Sequence, residues 1–479
     1  MAVASIKTKV LSGLKWNTLS VLATRGTDFG VKLLLARLLL PEAFGLVGMA
    51  MIITSFLEVV SDMGLFNALV QRKEDEQTQL RYSSAFWFLF SLASAFVLAF
   101  FLFVSPAGAA FYNEPQLVPV LNALSLYLFF NILTIVPRVI LTKELNFKAL
   151  VQTTYTGTVV SSIVAVAMAL TGFGVWSLVA KSIVGAGILF LSFWIRVKWR
   201  PDFRFSARTL KELSGYSTFS QLSGILYFFR NNVDYLLIGK LAGATALGAY
   251  TLAFTLSEVL RAQLYSILNK VLFPVYSTMQ DDLPQIRKYY LTVMRFTAII
   301  TFPIAVFFLG LADEFINTFF GHSWAAAAAP LRILSVATMI VVISGTPAEV
   351  LKGIGKPAVS FYISLLNTGL VAVPLIYLGQ KYFGLTGVAY AVCLHYTTSR
   401  LLFHHYMKKY IHITDQDILR ELRKPVVASA VMLALIYLTT LLGLPELHTL
   451  LLAGTAGSAA YASFFLKDFK QATTLLKRR

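Results

Sequence analysis

Arg25, Asp28 and Lys32 stand in the middle of WNTLSVLATRGTDFGVKLLLARLLL (Trp16–Leu40), a stretch long and apolar enough to span a bilayer. Spaced i, i+3, i+7, they share one face of a helix. A charge at the bilayer centre costs about 2.5–3.5 kcal/mol on insertion scales unless it faces protein or water. A single-pass anchor gains nothing by carrying three. The spacing suits one helix of a bundle whose charged stripe lines a water-filled cavity; a buried structural Arg–Asp pair is the bland alternative. The chemistry open to such a stripe is electrostatic. Guanidinium binds phosphate oxygens bidentately, and desolvation strengthens each contact. Neighbouring carboxylates either hold the cations in place or take up a coupling proton or sodium ion.

The same pattern recurs. Ser55, Glu58 and Asp62 form an i, i+3, i+7 stripe in the second apolar stretch. ARLLLPEAFG (Ala36–Gly45) resembles GKLAGATALG (Gly239–Gly248), a register of 203 residues from Gly45 to Gly248. Pro137 answers Pro347, and FGVWSLV (Phe173–Val179) answers FGLTGVA (Phe383–Ala389) at a register of 210 from Phe173 to Phe383. Ordered matches at nearly one register predict two related six-helix halves, parallel because each holds an even number of spans. Carried through that register, the stripe becomes Tyr227, Arg230 and Asp234 with Asn231 beside them, then Glu258, Arg261 and Tyr265. Arg261 falls at the position equivalent to Glu58. Arg25, Lys32, Tyr227, Arg230, Asn231, Arg261 and Tyr265 are the candidate cargo-binding residues. Asp28, Glu58, Asp62, Asp234 and Glu258 are the candidates for coupling or charge pairing. Lys181, Arg295 and Arg332 are further charges within apolar stretches.

These stripes need a bundle of spans, and the composition supplies one. The chain is 57% hydrophobic and only 13% charged, with a mean hydropathy of +0.71. Apolar runs broken by short polar punctuation predict an all-α polytopic membrane protein of about fourteen spans. Residues 1–195 are expected to form an N-terminal lobe of six spans, 196–212 a basic linker, and 213–409 a second lobe of six. Residues 410–424 then make a charged loop before a last helix pair and basic tail at 425–479. Lys7, Lys9 and Lys15 suit a short amphipathic lead-in, with no removed signal peptide expected. The net charge of +18 is no nucleic-acid signal. Most of the lysines and arginines fall in alternate loops, against essentially Lys381 on the other side, where Glu42, Glu114, Asp313, Glu314 and Glu446 stand instead. That asymmetry predicts both termini in the cytoplasm. Cys393, the single cysteine, permits no intramolecular disulfide.

LARLLLPEAFGLVGMAMIITSFLEVVSDMGLFNALVQRK (Leu35–Lys73) resembles the opening of the polysaccharide-export branch of the MOP flippase superfamily, the Wzx type. GFGVWSLVAKSIVG (Gly172–Gly185) is similar to the sixth span of its colanic-acid-exporter-like members. The likeness extends to about Lys409. It implies two six-helix lobes in a V around a cationic cavity, working by alternating access like the MATE transporters. It implies a cargo of undecaprenyl-diphosphate-linked oligosaccharide, flipped across the bacterial inner membrane for surface polysaccharide synthesis. Membrane lipids, and a polysaccharide polymerase with its chain-length machinery, are the partners so implied. The related peptidoglycan-precursor flippases carry an Arg and an Asp on the first helix, and Arg25 and Asp28 fill a similar place without being adjacent. Their extra C-terminal helix pair grooves the polyprenyl tail; residues 425–442 and 447–466 answer to that pair or to a scaffold.

Other chemistries fit less well. No GxxxxGK[ST] occurs, so Gly353-Ile-Gly355-Lys356 is a turn rather than a phosphate loop. His404, His405 and His412 match no metal-ligand spacing. A drug or cation antiporter of the same fold is expected to favour carboxylates over arginine in its cavity. A membrane glycosyltransferase or polymerase needs a large acidic external loop, and the longest here is about a dozen residues.

Overall fold

The computed structural model describes residues 23–466 apart from Met63 and Leu145, without the side chains of 147, 213–223, 227, 259–260, 266–267 and 269–271. The lead-in lysines Lys7, Lys9 and Lys15, the tail 467–479 and the Tyr227 side chain lie outside the described residues. Helix follows helix: α1 (23–38), α2 (Pro41–Asp62), α3 (Leu65–Gln71), α4 (Thr78–Ala99), α5 (Ser105–Tyr112), α6 (Leu117–Leu133), α7 (Ile135–Lys143), α8 (Phe147–Leu170) and α9 (Val175–Arg196). Then come α10 (Ala207–Thr278), α11 (Leu283–Phe319), α12 (Ala328–Ile343), α13 (Pro347–Gly353), α14 (Pro357–Leu366), α15 (Val373–Ile411), α16 (Asp415–Thr440) and α17 (Glu446–Ser463). Ten stretches among the described residues are long and apolar enough to cross a membrane. Sequence reading expects about fourteen. Two of the ten, Gly224–Glu258 and Pro357–Ile411, run through a glycine break, at Gly243 and Gly384, where consecutive helices join without a loop.

The chain divides into two compact units, Met1–Gly248 and Ala249–Arg479, the boundary falling inside α10. In the first unit α8 and α9 form a hairpin, and α6 packs against α2, α4 and α9. The basic stretch after α9 is strapped down rather than slack. Asp202 and Ser206 donate their backbone N–H groups to Ser83 and Ser84 at 2.9 and 3.0 Å, and Trp87 Nε1 donates to the Asp202 carbonyl at 2.8 Å. Arg81, in the first turn of α4, pairs with Asp75 of the loop before it and holds that exposed carboxyl below the usual carboxylate range.

The second unit is centred on α11, against which α12, α16 and α17 pack. Its core gathers Tyr276, Tyr290, Met294, Phe302, Met407 and Met432. Gly457 of α17 lies against Met432 and Ile436 of α16, and the Tyr461 hydroxyl donates to the Ile299 carbonyl at 3.2 Å. A capping box between Thr414 and Asp417 starts α16.

The internal repeat has a backbone signature. Gly174 (φ 55, ψ −126) and Gly384 (φ 59, ψ −147), one register apart, share a conformation that side-chain-bearing residues avoid. The other register brings its own pair together within the first unit. A Cβ on Gly45 would meet the Ala244 carbonyl oxygen at 1.7 Å, and one on Gly248 would meet that of Pro41 at 1.9 Å.

Candidate functional site

In the first unit the α1 stripe finds its partner on α9. Lys181 Nζ donates to Asp28 Oδ1 at 3.1 Å, with the Asp28 side chain 40% exposed and that of Lys181 22%. Lys32 lies within electrostatic range of Lys181. Arg25 is exposed, in no ion pair among the described residues. The pairing is therefore not the Arg25–Asp28 one that adjacency on a helix suggests.

On α2, Glu58 Oε2 accepts from the Tyr127 hydroxyl of α6 at 3.4 Å, and Asp62 Oδ1 accepts from the Phe66 N–H at 3.4 Å. Arg138 of α7 sits over the Phe66 ring, 5.2 Å from its centroid, and acts electrostatically on both carboxylates. Phe56 meets Phe228 and Phe229 at 5.5 and 5.6 Å, which brings the Arg230–Asp234 turn of α10 beside α2. Asp234 is buried there, while Arg230 and Asn231 are exposed.

In the second unit the predicted triplet forms one cluster. Glu258 is buried and pairs with Arg261 one turn on; it also accepts from Thr338 Oγ1 of α12 at 3.0 Å. The Arg261 guanidinium lies over the Tyr265 ring, 5.5 Å from the centroid, within reach of Tyr396. Arg261 Nε is buried with no hydrogen-bond partner among the described residues, so the guanidinium keeps unspent donor capacity. The Tyr265 hydroxyl reaches past the cluster to the Gly345 carbonyl at 3.1 Å.

That carbonyl belongs to a broken helix. α12 stops at Ile343, Gly345 takes φ 64, and α13 begins at Pro347. Three successive carbonyls freed by the break are each capped from a different helix: Ile343 by Arg400 Nη1 at 2.9 Å, Ser344 by the Tyr290 hydroxyl at 2.5 Å, and Gly345 by Tyr265. Backbone groups freed inside a bilayer need such partners. On α15, His395 is tied to the buried Asn367 at 3.0 Å. His404 instead pairs with Asp415 at 2.6 Å, closing the turn between α15 and α16.

Sequence reading missed Tyr127, Arg138, Thr338 and Tyr290 as partners. Arg138 carried a signal, a lone cation one residue after Pro137; the neutral groups carried none.

Ten helices long and apolar enough to cross a bilayer among the described residues define the class: a multi-pass membrane protein. The fold is shared with solved flippase and MATE transporter structures. The lipid II flippase MurJ in its inward closed conformation matches with a TM-score of 0.72 at 16% identity, over 94% of this chain and 99% of that one. An inward-facing multidrug resistance MATE transporter of the MOP superfamily matches at 0.61 and 17% identity, over 84% and 98%. The sequence identifies the family: a model described as polysaccharide biosynthesis protein matches residues 34–329, and the chain belongs to that family. It is 28% identical over 367 residues to the succinoglycan biosynthesis transport protein ExoT of Rhizobium meliloti, covering 76% of this chain and 74% of that one. It is 25% identical over 402 residues to the lipopolysaccharide biosynthesis protein WzxC of Escherichia coli, covering 80% and 78%.

Proposed function

We propose that this protein is a flippase that moves a lipid-linked oligosaccharide from the inner to the outer leaflet of a bacterial inner membrane. Both termini lie in the cytoplasm in this reading, and the glycan goes on to surface polysaccharide. The observation that carries it is Arg261, a largely buried guanidinium on α10 seated on Tyr265 and held by Glu258, with Nε unspent. A phosphorylated head group is the cargo such a group neutralises best.

The cargo's lipid tail can remain in hydrocarbon; its charged, hydrated head cannot cross unaided. We assign Arg25, Lys32, Arg230 and Arg261 to cargo phosphate. Asn231 and the rings of Tyr227 and Tyr265 are assigned to sugars. Asp28, Glu58, Asp62, Asp234 and Glu258 hold the cations between cycles, and Asp28 or Glu58 takes a coupling proton or sodium ion if transport is coupled. Alternating access operates on two lobes, 1–195 and 213–409, joined by the strapped connector 196–212. The C-terminal helices α16 and α17, which pack on α11, serve as its scaffold. A polymerase and chain-length machinery receive the product.

The experiment is deletion of the gene, followed by identification of the lipid-linked glycan that accumulates on the cytoplasmic leaflet. Accumulation restored to normal by the wild-type gene is the expected result. An unchanged lipid-linked pool together with altered drug efflux would assign the chain to antiport instead.

A further inference from the structure

A cavity of about 390 Å³ opens where the first turns of α11 and α16 meet the end of α15. Leu283, Leu291 and Ile411 supply its apolar side. Arg287, Lys288 and Arg420 face it with Asp417 and Glu421, three cations against two carboxylates. Both carboxylates are already engaged: Arg287 reaches Asp417 at 2.5 Å, and Arg295 reaches Glu421 at 3.6 Å. Lys288 and Arg420 are exposed, and their side chains enter no hydrogen bond or ion pair among the described residues. The cavity thus offers two uncommitted cations beside a greasy wall.

Its position narrows the ligand. α16 is long and apolar enough to cross a membrane, so charges in its first turns stand at the membrane–water boundary. Leu419 is 70% exposed beside Arg420; Val426 and Tyr437 are also exposed. These three, seven and then eleven residues apart, share one helix face, a surface suited to acyl chains. The volume lies at the small end of ligand pockets, roughly 300–1,000 Å³. It holds a phosphodiester head and not an oligosaccharide.

We propose that this cavity binds the phosphate of an anionic phospholipid, with Lys288 and Arg420 on the phosphate and the acyl chains along the Leu419–Val426–Tyr437 face. The site is separate from the Glu258–Arg261–Tyr265 cluster and does not depend on the cargo assigned above. A bound lipid bridges α11 to α16 at the point where the C-terminal pair begins.

The test uses the full-length protein extracted from bilayers of mixed phosphatidylglycerol and phosphatidylcholine, with retained lipid counted by native mass spectrometry. Wild type is expected to retain phosphatidylglycerol over phosphatidylcholine. The Lys288→Gln/Arg420→Gln double variant is expected to bind it roughly 30-fold more weakly, each surface cation being worth about 1 kcal/mol. Each single variant falls between. Arg72→Gln/Lys73→Gln, which removes two exposed charges from the first unit, is expected to behave as wild type. An unchanged elution volume establishes that the variants are folded. Equal losses from both double variants, or from neither, overturn the proposal. So does displacement by inorganic phosphate alone, which reassigns the cations to a free anion.

Discussion

Gly45 and Gly248 each lie against the backbone carbonyl that begins the other's helical segment: Gly45 against Ala244, Gly248 against Pro41. The 203-residue register that relates Gly45 to Gly248 also relates Pro41 to Ala244. The contact is therefore reciprocal, and neither glycine leaves room for a methyl group.

Gly45→Ala and Gly248→Ala should each destabilise the purified transporter, because the obstructing atoms are backbone and cannot rotate away. Overpacking of this kind costs about 1–3 kcal/mol or more. Gly26→Ala and Gly30→Ala are the contrast: nothing stands within 4 Å of either added carbon. Both should be neutral or stabilising by up to about 1 kcal/mol, since alanine is the better helix former. Thermal melting of the four variants in one detergent compares them directly.

Asp28→Asn should leave Lys181 without its carboxylate, and Lys181→Met in the same chain should recover part of the loss. Breaking a pair costs more than replacing both members. A coupling of about 0.5–1 kcal/mol is expected from the range for contacting residues, the low end because Asp28 is well exposed. Strictly additive losses in melting would count against the pair. If the double variant melts like wild type yet exports nothing, Asp28 has a coupling role beyond its salt bridge.

Arg261→Ala should abolish surface polysaccharide while the protein still inserts and is recovered at normal yield. Arg261→Lys should restore little, because an ammonium cannot reproduce the bidentate fork. Immunoblots of membranes alongside polysaccharide staining give both quantities. Normal staining in either variant removes Arg261 from the proposed site.

Tyr265→Phe should cost about 0.5–1.5 kcal/mol, the net worth of one hydrogen bond, because the Gly345 carbonyl then loses its cap. Tyr265→Leu should lose more, in export as well as stability, since it also withdraws the ring beneath Arg261. Equal melting temperatures for Phe and wild type would show that another group caps the break.

The apolar runs made the helical class legible, and the register between Gly45 and Gly248 was legible as a repeat but not as the contact the structure supplies. The Glu258–Arg261–Tyr265 cluster was legible because its members stand on one helix face, where spacing alone brings them together. Lys181 and Asp28 are 153 positions apart, and no spacing rule joins α1 to α9. Thr338 and Tyr290 act through neutral hydroxyls that carry no charge signal. The use of the Tyr265 hydroxyl was hidden for a further reason: its acceptor is a main-chain carbonyl, freed only because α12 breaks, and any sequence offers carbonyls everywhere.

Gly174 and Gly384 keep one unusual backbone shape in both copies of the repeat, yet the charges at matching positions disagree. Glu58 stands where the second copy has Arg261, and Asp62 where it has Tyr265. The repeat supplied a common frame for the two halves, and the side chains set on it differ. In parallel copies the repeat axis runs along the membrane normal, so it relates the two halves and not the two leaflets; the mismatch in charge therefore sets one half apart from the other, giving the second an arginine where the first has a carboxylate.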